Sequence, residues 1–143
     1  LWPEPVAAAA PAAVPAAELV DAADVALRRS LEATMGEGRG YRQEGLTVAS
    51  LAARLQVPEY RLRRVINRQL GHRNFNAYVN GLRLVEAKAR LADPAERHLP
   101  VLTIALDVGF QSIGPFNRAF KADTGLTPTD FRRRHGADGM AET

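Results

Sequence analysis

The chain has 143 residues, a formal net charge of +3, 46% hydrophobic residues and no cysteine. That length bounds it at one domain or two very small ones. The missing cysteines exclude a disulfide scaffold and cysteine-ligated zinc and fit a reducing compartment, and no run of about 18 apolar residues reads as a membrane span.

The net charge hides an asymmetry. Residues 1–40 carry three Arg against six acids, net −3, and residues 41–143 carry sixteen Lys/Arg against ten acids, net +6. A polyanionic partner for the C-terminal hundred residues, or a solvated basic face, both fit this balance.

Residues 1–17, LWPEPVAAAAPAAVPAA, hold eight Ala and four Pro. The prolines forbid a continuous helix, so the stretch reads as a disordered linker. The Ala-rich start has no basic n-region and is a poor signal peptide. The chain opens on Leu, as a fragment or processed chain would. Residues 18–35 read as a helix with Val20, Ala23, Leu27, Leu31 and Met35 inward, and G-E-G-R-G at 36–40 ends it. These residues, 18–40, form an expected flanking helix and loop.

Thr47 is the expected N-cap of a short helix, Val48 to Leu55. A turn at Gln56-Val57-Pro58 leads into a second helix, Glu59 to Leu70, with Leu62, Val65 and Ile66 inward and Gly71 as its stop. A long helix is expected from Phe75 to Ala92 on a stripe of Phe75, Tyr78, Val79, Leu82, Val85 and Ala89, and Asp93-Pro94 stops it. Another short helix, Val101 to Val108, precedes a turn at Gly109. The segment G-F-Q-S-I-G-P-F-N-R-A-F (109–120) starts the next helix, which ends at Gly125. Either Ser112 caps it, making Pro115 the third helical residue, or Gly114 caps it, putting Pro115 at the favoured first position. Gly114 is preferred, because a residue before Pro avoids the helical region. A last helix starts with Thr127 as cap and Pro128 first. Residues 136–143 are expected to be a disordered tail. Strand-like alternation is absent, so the fold class is all-α.

The chain matches itself at an offset of 53–54. Ala52 falls on Ala105 and Leu55 on Val108, then Leu62 on Phe116, Arg64 on Arg118, Ile66 on Phe120 and Gly71 on Gly125. Each copy is a short helix, a tight turn, a longer basic helix and a Gly stop, which is the pattern of a helix-turn-helix.

The residues that carry the repeat also carry a family resemblance. L-T-V-A-S-L-A-A-R-L (46–55), R-L-R-R-V-I-N-R-Q-L-G (61–71), N-A-Y-V-N-G-L-R-L-V-E-A-K-A-R-L (76–91), I-A-L-D-V-G-F (104–110), F-N-R-A-F-K (116–121) and T-G-L-T-P-T-D-F-R (124–132) resemble the DNA-binding domain of AraC/XylS-type bacterial transcription regulators. The resemblance implies seven helices: two helix-turn-helix units, about 47–71 and 101–125, bridged by the helix at about 75–92, within a DNA-binding domain at 41–135. Gln56 stands where a glycine is usual in the turn, and Ile113-Gly114-Pro115 replaces a commonly polar stretch. The first unit is therefore expected to read more sequence than the second. The upstream helix and Y-R-Q-E-G-L-T also resemble a subgroup whose N-terminal half is a membrane-embedded sensor. That implies a sensor domain outside this chain and a cytoplasmic domain tethered to the inner membrane.

A recognition helix reads base edges from side chains near its N-terminus. The expected base contacts are Tyr60, Arg63 and Arg64 in the first unit and Gln111, Ile113, Asn117 and Arg118 in the second. Arginine suits guanine, asparagine adenine, and an apolar side chain the thymine methyl. Expected phosphate contacts are Thr47, Arg61, Arg68, Ser112, Lys121, Thr127 and Arg132; Arg133 and Arg134 add backbone contacts or solvated charge. Arg83 is expected to make a structural ion pair with Glu86 or another acid. The three His are scattered without acid partners at helix spacing, so no metal ligand set, catalytic residue or cofactor is expected. The expected partners are double-stranded DNA and RNA polymerase. The competing reading is a helical interaction module whose second unit touches RNA polymerase or another partner instead of bases.

Overall fold

The computed structural model describes residues 16–141, with side chains from 22 to 136. Most of the expected 1–17 linker therefore lies outside the described residues, and so does the Val20 side chain. Among the described residues the fold is seven α-helices with no strand: α1 Ala16–Glu32, α2 Val48–Leu55, α3 Glu59–Arg64, α4 Phe75–Ala92, α5 Val101–Asp107, α6 Ile113–Thr124 and α7 Pro128–Ala141. Wider π turns continue α1 through Ala33–Glu37 and α3 through Val65–Gln69. The last helix runs past residue 135 to Ala141, into the stretch expected to be a tail.

The core is double. The first cluster gathers Leu27, Leu31 and Met35 from α1 and its π turn, Leu51 and Ala52 from α2, Leu62 from α3 with Val65 and Ile66 from its π turn, and Tyr78 and Val79 from α4. The second gathers Leu84, Ala87 and Leu91 from α4, Ile104, Ala105, Val108 and Phe110 around α5, and Phe116 and Phe120 from α6. Among the described residues, only α4 contributes to both. Its expected single stripe is thereby corrected: Val85 is 64% exposed and Ala89 is exposed, while Leu84, Ala87 and Leu91 are buried. At about 100° per residue, the stripe of Phe75, Tyr78, Val79 and Leu82 lies about 160° around the helix from that of Leu84, Ala87 and Leu91. The two units thus hang on nearly opposite sides of one spine.

The repeat is drawn in the backbone as well as the sequence. Val57 N–H donates to Ala52 C=O at 3.0 Å, and Phe110 N–H donates to Ala105 C=O at 3.0 Å. Gln56 (φ 62°) and Gly109 (φ 116°) take the same left-handed turn position. Leu51 and Ile104, Leu62 and Phe116, and Ile66 and Phe120 are buried in pairs. The second unit needs its glycine for a further reason. A Cβ on Gly109 would stand 2.5 Å from the Tyr41 carbonyl oxygen and 2.6 Å from Arg83 Nε.

The two units are also joined by polar contacts through α4. Arg83 Nε donates to the Tyr41 carbonyl at 2.7 Å and Nη2 to the Gln43 carbonyl at 3.0 Å, with its guanidinium 5.6 Å from the Phe110 ring. This corrects the expected Arg83 ion pair: a side chain pressed against backbone turns finds carbonyls nearer than acids. Glu86 instead accepts from Tyr41 Oη at 2.8 Å and from Arg42, with Arg39 at 3.7 Å. Lys88 on α4 reaches Asp123 of α6 at 2.9 Å. Arg90 bridges Glu96 at 2.7 Å and Asp107 at 3.1 Å.

Candidate nucleic-acid interface

The second helix of the first unit, α3, starts at Glu59 after Pro58 in an extended conformation. Leu62 turns inward and is fully buried, so Tyr60 and Arg63 face outward by helical geometry. Tyr60 is 64% exposed, an aromatic ring held away from any core. Arg63 is exposed and reaches Glu59 at 3.4 Å, a solvated pair of little strength. Arg64 is placed differently. Its Nε and Nη2 donate to the two carboxylate oxygens of Asp24 on α1 at 3.2 and 2.9 Å. The Asp24 side chain is 7% exposed and that of Arg64 28%. Arg61 is half-buried, and its Nε is buried without a hydrogen-bond partner among the described residues. Arg68 is exposed in the π turn that follows.

The α2 start behaves as its sequence predicts. Thr47 and Ser50 form a reciprocal capping box, with Ser50 N–H donating to Thr47 Oγ1 at 3.0 Å and Thr47 N–H to Ser50 Oγ at 3.1 Å. Those two N–H groups are satisfied by the cap.

In the second unit, α6 begins at Ile113, with Ser112 extended at φ −160° as its cap residue. The expected Gly114 cap is therefore corrected, and Pro115 is the third helical residue. First-turn N–H groups have no partner inside the helix, so Pro115 costs no hydrogen bond there. Gly114, lacking a Cβ, tolerates the helical conformation before proline more readily than other residues. Ile113 is 36% exposed. Ile113, Asn117, Lys121 and Thr127 come together along one cleft with Leu102 of α5. Thr127 caps α7, accepting from Asp130 N–H at 3.1 Å. Gln111 lies instead in a groove at the junction of the units, with Asn76, Asn80, Arg83 and Pro115. Arg118 is exposed, and its guanidinium lies close over Gly114. Arg132 is folded back: Nη1 donates to the Arg97 carbonyl at 3.3 Å, while Nε and Nη2 are buried without partners among the described residues. Arg133 is paired with Asp130 at 3.0 Å.

Sequence reasoning did not single out Asp24, Asn76 or Asn80. The only signal for the last two is their spacing of four on a helix. For Asp24 there was none, because its partner lies 40 residues away.

The comparisons with known proteins agree with this architecture. The helix-turn-helix domain family matches residues 51–134. The chain is 33% identical over 104 residues to the HTH-type transcriptional regulator CdhR of Pseudomonas aeruginosa, covering 73% of this chain and 30% of that protein. It is 33% identical over 91 residues to the probable transcription factor PqrA of Proteus vulgaris, covering 64% and 71%. It is 32% identical over 94 residues to the right origin-binding protein of Escherichia coli, covering 66% and 31%. The chain thus spans less than a third of two of these relatives. Among solved structures, the C-terminal domain of AraT, a response regulator from Geobacillus stearothermophilus, superposes with a TM-score of 0.64 at 29% identity, covering 76% of this chain and 84% of that one. The family description names no enzyme, and no described helix is long and apolar enough to cross a membrane. With two helix-turn-helix units on one bridging helix, and this family match across residues 51–134, the chain belongs to the AraC/XylS-type helix-turn-helix family of DNA-binding transcription regulators.

Proposed function

We propose that residues 41–135 bind double-stranded DNA sequence-specifically, with α3 and α6 entering successive major grooves on one face, to regulate transcription initiation. The observation that carries this is the repeated turn, which places two exposed helix starts on units packed on nearly opposite sides of an 18-residue α4. That helix is roughly 27 Å long at ~1.5 Å per residue, near the ~34 Å of one duplex turn. The duplex bends to accept both helices at once.

Tyr60 and Arg63 read bases in the first unit, and Arg64 joins them by exchanging Asp24 for a guanine edge. Gln111, Ile113, Asn117 and Arg118 read the second half-site. Thr47, Arg61, Arg68, Ser112, Lys121, Thr127 and Arg132 hold phosphates, Arg132 after unfolding from the Arg97 carbonyl. The chain acts by binding and not as an enzyme, in the cytoplasm. A sensor domain outside this chain, membrane-embedded in the full protein, and RNA polymerase complete the assembly.

Selection from random DNA with this chain tests the reading, together with a salt titration of the selected duplex. Two half-sites about one turn apart, with more information in the first, are expected. Affinity should fall by about 10³–10⁵ between 50 and 200 mM salt for 6–10 phosphate contacts. A flat salt response would overturn it.

A second reading keeps the first unit on DNA and puts the second against RNA polymerase. It is favoured by the apolar surface beside α6, where Leu102 is 48%, Leu106 44% and Ile113 36% exposed. A single selected half-site would support it.

A further inference from the structure

The chain's two described π turns border the same space. Met35 lies within the first, and Leu70 closes the second. Between them and α4 is a cavity of about 360 Å³, lined also by Glu32, His72, Tyr78 and Leu82. Its volume falls within the range of small-molecule sites, ~300–1,000 Å³. A π turn is rare and recurs at functional sites, because it trades a regular helical bond for a displaced side chain. None of the residues assigned above to DNA lines this cavity.

The lining specifies a chemistry. Met35, Leu70 and Leu82 supply apolar walls, and the Met35 thioether adapts to irregular shapes. The rings of His72 and Tyr78 lie 5.2 Å apart at 59°. Tyr78 is 5% exposed, and its hydroxyl has no hydrogen-bond partner among the described residues. Its oxygen is not among the buried unpartnered atoms, so it is open to solvent and a ligand can take the place of water on it. Glu32 brings a carboxylate to the rim, and neither Lys nor Arg is among the described lining residues. Arg28 reaches Glu32 at 3.4 Å, but the two side chains are 44% and 52% exposed, so a ligand charge displaces that pair readily.

We propose that this cavity binds a small organic cation, an apolar body carrying an ammonium group. The ammonium donates to the Glu32 carboxylate and the Tyr78 hydroxyl oxygen beside the two ring faces. The body packs on Met35, Leu70 and Leu82. Occupancy braces the end of the first reading helix against α1 and α4.

The test compares three probes of one shape: phenylbutylamine, phenylbutanol and phenylbutanoate. Each is titrated into the full chain carrying methyl-labelled methionine, of which there are two. The amine should shift the Met35 methyl and Tyr78 ring signals saturably. It should bind roughly two- to fivefold tighter than the alcohol, the worth of one half-exposed ion pair, with the carboxylate weakest. Glu32→Gln should erase the amine's advantage over the alcohol, and Tyr78→Phe should weaken both. Three results would each overturn the proposal: a carboxylate that binds as well as the amine, an unmoved Met35 signal, or an amine preference that survives Glu32→Gln. No DNA is present, so the outcome is independent of the DNA-binding reading.

Discussion

Asp24 of α1 grips Arg64 of the first reading helix through both carboxylate oxygens, at 2.9 and 3.2 Å. On the proposed DNA-binding reading, the upstream helix competes with DNA for the same guanidinium. Asp24→Ala should lower unfolding free energy by about 1–3 kcal/mol, because it removes two charge-assisted hydrogen bonds to Arg64. It should also tighten binding to the selected duplex by removing one competitor for the Arg64 guanidinium. Urea unfolding and a binding isotherm check the two signs separately. Weaker binding by a fully folded variant would mean that Asp24 positions Arg64 for reading.

Arg64→Ala should lower affinity and relax preference at one base pair, by roughly 1–3 kcal/mol of discrimination. Arg118→Ala should relax specificity less. Equal loss on all sequences would move Arg64 to the phosphate-holding group. Tyr60→Ala and Arg63→Ala should leave stability within about 0.5 kcal/mol, since both side chains are exposed, while weakening DNA binding. A large fall in melting temperature for either would place it in the fold instead.

Glu86 ties the segment before α2 to the bridging helix. Burial pushes its carboxyl up, but hydrogen bonds from Arg42 and Tyr41 and the charges of Arg42 and Arg39 outweigh this and hold it below the ordinary range. Its folded value thus lies below its unfolded one. The stabilisation is complete above the ordinary value of about 4.3 and is lost as pH falls through the folded value. Glu86→Gln should be less stable than the parent at neutral pH and should narrow the gap in acid. Urea midpoints across that pH window measure it.

The two turns of the repeat should respond oppositely to exchange. Gln56 holds a left-handed conformation that costs a side-chain-bearing residue about 1–2 kcal/mol, and Gln56→Gly should stabilise by up to about 1 kcal/mol after the added chain entropy of Gly. Gly109→Gln should destabilise by at least about 2 kcal/mol, since its Cβ would collide with Tyr41 and Arg83. Thermal melts of the two variants decide it.

Much of this architecture is legible in the residues. Thr47 and Thr127 cap the helices they precede, Phe75–Ala92 has the expected ends, and Gln56 with Gly109 marks the duplicated turn. What is not legible depends on partners distant in the chain. Val85 and Ala89 continue a helical period that the molecule abandons, because periodicity shows a face and not a change of face between two cores. Arg83 shows a charge but not that backbone carbonyls lie nearer than Glu86. Ser112 wins the α6 cap over Gly114 because a third-position proline has no hydrogen bond to lose, so the local preference had little energy behind it. In the candidate site, Tyr60 and Arg63 stand outward as their spacing implies, whereas Arg64 and Arg132 are drawn into contacts that no local pattern announces.

The change of face along α4 makes that helix an angular gauge. Leu82 belongs to one unit and Leu84 to the other, so the azimuth between the reading helices is fixed by a residue count. One residue inserted at this crossing would swing the second unit by about 100° and advance it by about 1.5 Å. The backbone has no intermediate setting. On the proposed reading, spacing between half-sites on the duplex is matched in discrete steps, and fine adjustment falls to the bending of the DNA.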